Sequence, residues 1–319
     1  MKTAKGILSS EELNLVTFAQ KYSDDNTARE LLESILWPDG PVCPHCKNHK
    51  EKAIYALKAK ATSTRPGRKG LYKCGACRKQ FTVTVGTIFE DGHIPIGKWL
   101  MALFILSSSK KGISAHQMHR MLDMTYRSAW FMCHRIRYAM GSGPLAALLG
   151  GTVEVDETYV GGKGDGLTRI LRHTPVVALV ERKGSVRTKV VANVTQKNLR
   201  AAMKECVKPT AIINTDASPV YQGTETIYAR HDVVNHSAYE YARKNADGSL
   251  ACTNTAESFF SLLKRGVMGS FHHVSREHLH RYATEFEFRW NNRGINDGQR
   301  MEVAIEQAEG KRLTYKQCV

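Results

Sequence analysis

Little in this sequence points to a membrane or to an oxidising compartment. The longest apolar run, Trp99 to Leu106, falls far short of the roughly 20 residues a bilayer-crossing helix needs. The opening stretch MKTAKGILSSEELN has positive charge but no apolar stretch long enough for a signal peptide. Of the eight cysteines, four fall in two C-x-x-C pairs and the rest stand alone, which argues against a disulfide framework and for a reducing compartment with one metal site. A cytoplasmic protein with no membrane partner is the expectation. Acidic residues are also in deficit, with 30 Asp and Glu against 46 Lys and Arg, and the resulting +16 charge is spread along the chain instead of forming a tail. A polyanion is the natural partner for such a surface. Disorder is not the default for 319 residues with 42% hydrophobic content, enough to bury a sizeable core and to hold two or three domains.

From about Ser9 to Trp37, apolar and acidic positions alternate at helical spacing, and SSEEL and DDNTARELLESIL each open on capping residues and acids. Two helices are expected, the second stopped by Trp37-Pro38-Asp39-Gly40-Pro41. Cys43 and Cys46 then form one knuckle, and Cys74 and Cys77 a second, around a loop carrying Tyr55, Lys58, Arg65, Arg68 and Lys69. Two such knuckles flanking a hairpin have the spacing of a four-cysteine zinc ribbon holding one structural Zn²⁺. His45 and His49 read as exposed neighbours of that site, not ligands, and Gln80 to Val85 alternates like a closing strand.

From Pro95 the pattern becomes helical, in IGKWLMALFILSSSKKG, SAHQMHRMLD and TYRSAWFMCHRIRYAM. The last two, joined by a short turn, resemble a helix-turn-helix with Tyr126 to Met140 as the recognition helix. Arg127, His134, Arg135 and Arg137 would form its polar, DNA-contacting face. An ordinary helical bundle whose basic residues meet solvent is the competing reading.

Gly141 to Gly151 reads as a linker into the stretch around which the chain is organised, GTVEVDETYVGGK. If Val153 and Val155 face a core, strand alternation puts Glu154 and Asp156 together on the other face. A carboxylate in a central strand needs neutralising or pairing, and a divalent metal is one common partner. A second acid, Asp216, ends the apolar strand that starts at Ala211, and a third, Glu257, lies two helical turns before Lys264 on one helix face. This is a two-metal pattern. GGKGDG after Val160 reads as a turn, VVALVER and VRTKVVANV as a hairpin about Lys183-Gly184-Ser185, and TQKNLRAAMKECV as a helix. ARHDVVNHS is a further strand, Asn254 starts a helix, and Leu279, Tyr282, Phe286 and Trp290 form a core-facing stripe on the helical segment that follows Ser275.

That element order is that of a ribonuclease-H-like domain. The succession of zinc ribbon, helix-turn-helix, VEVDETYVGGK, NTDASPVY, TNTAESFFSLLKRG and SFHHVSREHLHRYATEFEFRWNNR resembles the DDE transposases of bacterial insertion sequences, in the branch with an N-terminal zinc ribbon, over nearly the whole chain. The resemblance implies an α/β architecture in three parts: helices and ribbon in 1–90, a DNA-binding helix-turn-helix in 91–145, and a ribonuclease-H-like catalytic domain in 146–319. It also implies two Mg²⁺ ions, strand cleavage and transfer at transposon ends, and a homo-oligomer on end and target DNA. Carried over by motif, Asp156 and Asp216 look like the first two acids, Glu257 or Asn254 the third position, and Lys264 the trailing base.

Asn254 and Glu257 stand three apart, so both could face the metals, or form a capping box in which Asn254 closes the helix start. Glu154 and Glu157 read as structural, and His236, His272 and His273 as satisfied histidines in preference to phosphate contacts. The alternative function is a DNA-binding regulator whose second domain is inactive or dimerising. A full set of acids speaks against it.

Overall fold

The computed structural model describes residues 6–8, 13–50, 53–57, 69–141, 143, 147–161 and 173–318. The chain divides into two compact units: one of Met1–Ser109, Ile113–Met140 and Ile295–Val319, the other of Lys110–Gly112 and Gly141–Gly294. This differs from the three-part division expected from sequence. Ribbon and helices share a unit, and the last 25 residues return to it, because the C-terminal helix packs on helices of the first hundred residues.

In the first unit, α1 (Leu15–Tyr22) is capped by Asn14, whose side chain accepts from the Val16 and Thr17 amides, and α2 (Asp25–Leu36) by Asp24 in the same way. The SSEEL expectation lies on residues outside those described, apart from Leu13. A small antiparallel sheet, β1 (Ile54–Ala56), β2 (Tyr72–Cys74) and β3 (Gln80–Phe81), follows. The closing strand is shorter than the alternation suggested, since Thr82 to Val85 turns, with the Val85 amide donating to the Thr82 carbonyl. α3 (Ile96–Ser108) is buried almost all round. α4 (Ala115–Met121) and α5 (Tyr126–Ala139) follow, capped by Ser114 and Thr125. The C-terminal helix, written here as α9 (Asp297–Glu306), starts at an Asn296/Gln299 capping box and lies against α2 and α3. Its buried Glu302 accepts from the Ile7 and Leu8 amides, and Arg300 donates to the Ser107 carbonyl at 3.1 Å.

The second unit is built on a five-stranded sheet of β4 (Thr152–Gly161), β5 (His173–Glu181), β6 (Val186–Val190), β7 (Ile212–Asp216) and β8 (Arg230–Val234), in the order β6-β5-β4-β7-β8. The first three strands are antiparallel, whereas β7 runs parallel to β4 and β8 parallel to β7. The expected hairpin turn is present, with Lys183 in the left-handed region at φ 58°. Val153, Val155, Val177, Leu179 and Ile213 form one core with α6 (Gln196–Cys206). On the other face Val176, Ala178 and Val180 pack with Phe259 and Phe260 of α7 (Asn254–Gly266) and with Leu279 and Phe286 of α8 (Leu279–Asn291). Of the expected stripe, Leu279 and Phe286 are core, whereas Tyr282 and Trp290 are partly buried, Trp290 packing against that core and Tyr282 against Phe271. α7 and α8 come so close that a Cβ at Gly266 would strike the Phe286 ring. A two-stranded hairpin, β9 (Ala242–Lys244) with β10 (Leu250–Cys252), leads into α7. The linker reading of 141–151 falls partly on residues outside those described. Its described end is structured, with buried Leu149 bridged to Val207. The GGKGDG turn falls outside the described residues from 162 on.

Candidate active site and metal centre

The two cysteine knuckles meet beside the three-stranded sheet. Cys43 Sγ lies 3.6 Å from Cys77 Sγ, and Cys46 Sγ 3.7 Å from Cys74 Sγ. All four sulfur atoms lie within 4.8 Å of one another. Tetrahedral Zn–S bonds of about 2.3 Å put ligand sulfurs about 3.8 Å apart, so this donor set fits zinc as it stands. Backbone amides of Cys77 and Ala76, with the Asn48 side chain, hold the Cys74 thiol below its ordinary range against the opposing effect of burial. His45 and His49 are exposed and stand outside the cluster. Trp37, Tyr72 and Phe81 pack around it, Trp37 edge-on to both rings at 5.4 and 5.9 Å.

In the second unit two neighbouring strands carry acids at corresponding positions. The β4–β7 ladder pairs Glu154 with Asn214, and two residues further along each strand come Asp156 and Asp216. Burial pushes Asp156 up to about 7, against the Glu157 amide that donates to its Oδ1 at 2.8 Å, with the carboxylates of Glu157, Asp216 and Glu257 adding to the rise. Glu157 is raised too, by burial first and then by Asp216, while the Tyr221 hydroxyl donates to it and opposes the shift. Asp216 accepts from the Ser218 amide at 3.2 Å, where Pro219 turns the chain away.

Glu257 and Lys264 both line a cleft of about 710 Å³ with Asp156, Glu157, Lys111 and Arg265. Neither Asp216 nor Asn254, which is exposed at the helix start, is part of that lining. His236 Nδ1 lies 3.6 Å from a Glu257 oxygen and its Nε2 3.4 Å from the Thr253 hydroxyl, so this histidine is partnered as expected.

The capping-box expectation fails. The residue at the cap position of α7 is Thr253, which makes no side-chain cap hydrogen bond, and Asn254 is already helical. The cap comes from another element: fully buried Glu154 accepts from the Thr255 amide at 2.7 Å, the Ala256 amide at 3.1 Å and the Thr255 hydroxyl at 2.9 Å. Arg182 completes its surroundings at 2.8 Å. The structural role expected of Glu154 is thus realised, but its partners were not legible because strand alternation fixes a face and not a distant helix.

Residues 148–291 match the ISXO2-like transposase domain, and residues 23–80 match the transposase zinc-ribbon domain. The chain is 31% identical over 113 residues to a transposase-like protein of Haemophilus influenzae, a match covering 35% of this chain and 86% of that one. The chain belongs to the ISXO2-like transposases with an N-terminal zinc ribbon. A longer match, 27% identical over 288 residues, covers 84% of this chain and 91% of a protein in transposable element ISH50 of Halobacterium salinarum. Among solved structures, a simian T-cell lymphotropic virus intasome bound to a phosphatase regulatory subunit gives a TM-score of 0.28 at 17% identity, covering 57% of this chain and 66% of that chain. A likeness that slight carries no argument about the fold.

The polar face expected of α5 needs correction. His134, Arg135 and Arg137 are buried, at 0%, 3% and 1% exposure, and only Arg127 of the four faces outward. The reason is that α5 is enclosed nearly all round its second half. The Arg135 guanidinium lies 5.2 Å from both the Trp99 and Phe131 rings and donates to the Glu90 carbonyl, while His134 packs against Trp130 at 4.4 Å. Burial lowers the Arg135 pKa, as expected for a cation held by rings and one carbonyl. The outward residues of the α4–α5 pair are instead His116, Gln117, Arg120 and Met121 with Tyr126, Arg127 and Tyr138. His116 stacks on Tyr126 at 4.2 Å.

Proposed function

We infer that this transposase binds the ends of an insertion sequence and carries out magnesium-dependent DNA strand cleavage and transfer there. The observation that carries the reading is the placement of Asp156 and Asp216 at matching positions on adjacent parallel strands, with Glu257 close enough to raise the first of them. Three antiparallel strands followed by two parallel ones, with a helix returning across the central strand, support a ribonuclease-H-like reading of the second unit.

Asp156, Asp216 and Glu257 offer the oxygen donors that Mg²⁺ takes, and a half-buried carboxylate raised to about 7 among other acids is a group that a divalent cation would keep ionised. Bound there, two Mg²⁺ ions would supply activation of the attacking water or 3′-hydroxyl and stabilisation of the leaving oxygen. The chain's own contribution is positioning. Lys264, on the cleft wall with Glu257, would hold the scissile phosphate, and Lys111 and Arg265 on the same wall would hold its neighbours. The ribbon would carry one structural Zn²⁺. End recognition is assigned to the α4–α5 pair as a helix-turn-helix, through Arg127 with Arg120 and His116 in place of the buried residues. An element has two ends and each chain one acid set, which favours a homo-oligomer on end and target DNA, in the cytoplasm.

The test is cleavage of labelled end duplexes with Mg²⁺. Asp156→Ala and Asp216→Ala should each abolish cleavage and leave end binding near wild type. Full cleavage by either would refute the acid assignment. Binding without cleavage by the unaltered chain on its correct ends would favour the regulator.

A further inference from the structure

We propose that Glu154 is a positioning residue for strand cleavage, which with Arg182 and Asn214 fixes the helix carrying Glu257 against the strands carrying Asp156 and Asp216. The proposal rests on the acid-site reading above and extends it to residues that touch neither DNA nor metal.

Glu154 and Asn214 face each other across the β4–β7 ladder, each two residues ahead of a strand acid. Side chains two apart on a strand share a face and stand about 7 Å apart, so this pair forms a polar layer directly behind the acids. Both residues reach the same segment. Asn214 Nδ2 donates to the Cys252 carbonyl at 3.2 Å and the Leu250 carbonyl at 3.4 Å, the last and first residues of β10. Glu154 takes the next residues, accepting from the Thr255 amide, the Thr255 hydroxyl and the Ala256 amide. Arg182 ties the two halves together, donating to Glu154 at 2.8 Å and to the Cys252 carbonyl at 3.2 Å, with a further bond to the Leu250 carbonyl.

The first amides of any helix lack intrahelical partners, and a carboxylate there is favoured by the helix dipole. A local cap would meet that need without saying where the helix sits, and α7 has no local side-chain cap. Its amides are met by a residue of the strand that carries Asp156. The contact therefore sets the distance between two elements, each bearing one of the acids. From Glu154 to Asp156 is two residues of rigid strand, and from Ala256 to Glu257 one residue of helix. Little slack separates the clamp from the chemistry.

The test compares Glu154→Gln, Thr255→Val and Asp156→Ala in the full chain, reading backbone amide hydrogen exchange, end-DNA affinity and the Mg²⁺ dependence of cleavage. Gln keeps the shape but presents an NH₂ to donors, so the Thr255 and Ala256 amides should exchange faster. Cleavage should then fall about a hundredfold, the cost of a displacement near 1 Å in a positioned site, with a raised Mg²⁺ requirement and near-wild-type DNA affinity. Thr255→Val removes only the hydroxyl bond and should give a smaller loss in the same direction; it decides the matter if Glu154→Gln does not fold. Wild-type cleavage and Mg²⁺ requirement in a folded Glu154→Gln, or failing that in Thr255→Val, beside an inert Asp156→Ala, would overturn the proposal alone. Full cleavage by Asp156→Ala would overturn the acid-site reading and the proposal with it.

Discussion

Glu154 and Asp156 share one face of β4 and meet opposite surroundings. The first is fully buried and ringed by donors from Arg182, Thr255 and Ala256, whereas the second is raised to about 7 by burial and by three other acids. A carboxylate satisfied by fixed dipoles and an arginine needs nothing further. One surrounded by carboxylates is short of positive charge, and that contrast is what favours Asp156 over Glu154 in the proposed metal site.

The same helix start settles what each substitution at the third position should do. Asn254 is exposed and caps nothing, so Asn254→Ala should change stability by less than about 0.5 kcal/mol and leave most cleavage intact. Glu257→Ala should abolish cleavage with little change in melting temperature. Denaturant melts alongside a cleavage assay check both; inactivity of Asn254→Ala with full activity of Glu257→Ala would reassign the position.

Zinc should be present at one ion per chain and be lost on changing any of Cys43, Cys46, Cys74 and Cys77. Elemental analysis of Cys74→Ser retaining a full ion would remove the site. Chelation should release four thiols to a titrating reagent under native conditions, since Cys133, Cys206, Cys252 and Cys318 are all buried.

Arg135 and Arg127 should part company. Arg135→Ala strips a buried guanidinium from between Trp99 and Phe131 and leaves the Glu90 carbonyl without that donor, a loss of about 1–3 kcal/mol in stability. Arg127→Ala, on the exposed side, should barely alter stability but weaken end binding and flatten its dependence on salt. Equal effects on binding from the two folded variants would return Arg135 to the DNA face.

Much of the architecture was legible because periodicity reports it directly. The two knuckles, the hairpin at Lys183-Gly184-Ser185, the strand ending at Asp216 and the stripe through Phe286 all follow from local pattern and turn chemistry. Burial of charge was not legible. A run such as CHRIRY looks like a solvated face until Trp99 and Phe131 are seen to enclose it, and those rings come from α3 and from α5 itself. Buried Glu285 and Arg289 on α8 hide in the same way, paired one helical turn apart. Two misses had local signals. Asn296 and Gln299 are a capping box in plain sequence, and Asn245 to Gly248 is a hairpin turn between β9 and β10.

A pH dependence should come from Lys311, whose ammonium burial pushes down to about 8 while its Nζ donates to the Ala139 carbonyl at 2.7 Å. Because the folded value lies below the ordinary 10.5, the unfolded chain binds more protons between about 8 and about 10.5, and stability rises with pH across that window. The penalty is fully present below pH 8 and lost above the window. The side chain's partial exposure keeps the effect small. The melting temperature of wild type relative to Lys311→Met should climb as pH is raised through this range, and a constant difference would refute the assignment.

The return of Ile295–Val319 to the first unit has a consequence for how the protein is made. The second unit is inserted in the sequence of the first, so a nascent chain can complete the sheet and the α7–α8 layer while the first unit still lacks α9 and the Glu302 and Arg300 bonds. Domains usually close in the order they leave the ribosome. Here the part synthesised first is finished last, and protease protection of stalled chains should appear in the Gly141–Gly294 unit before it appears around α3.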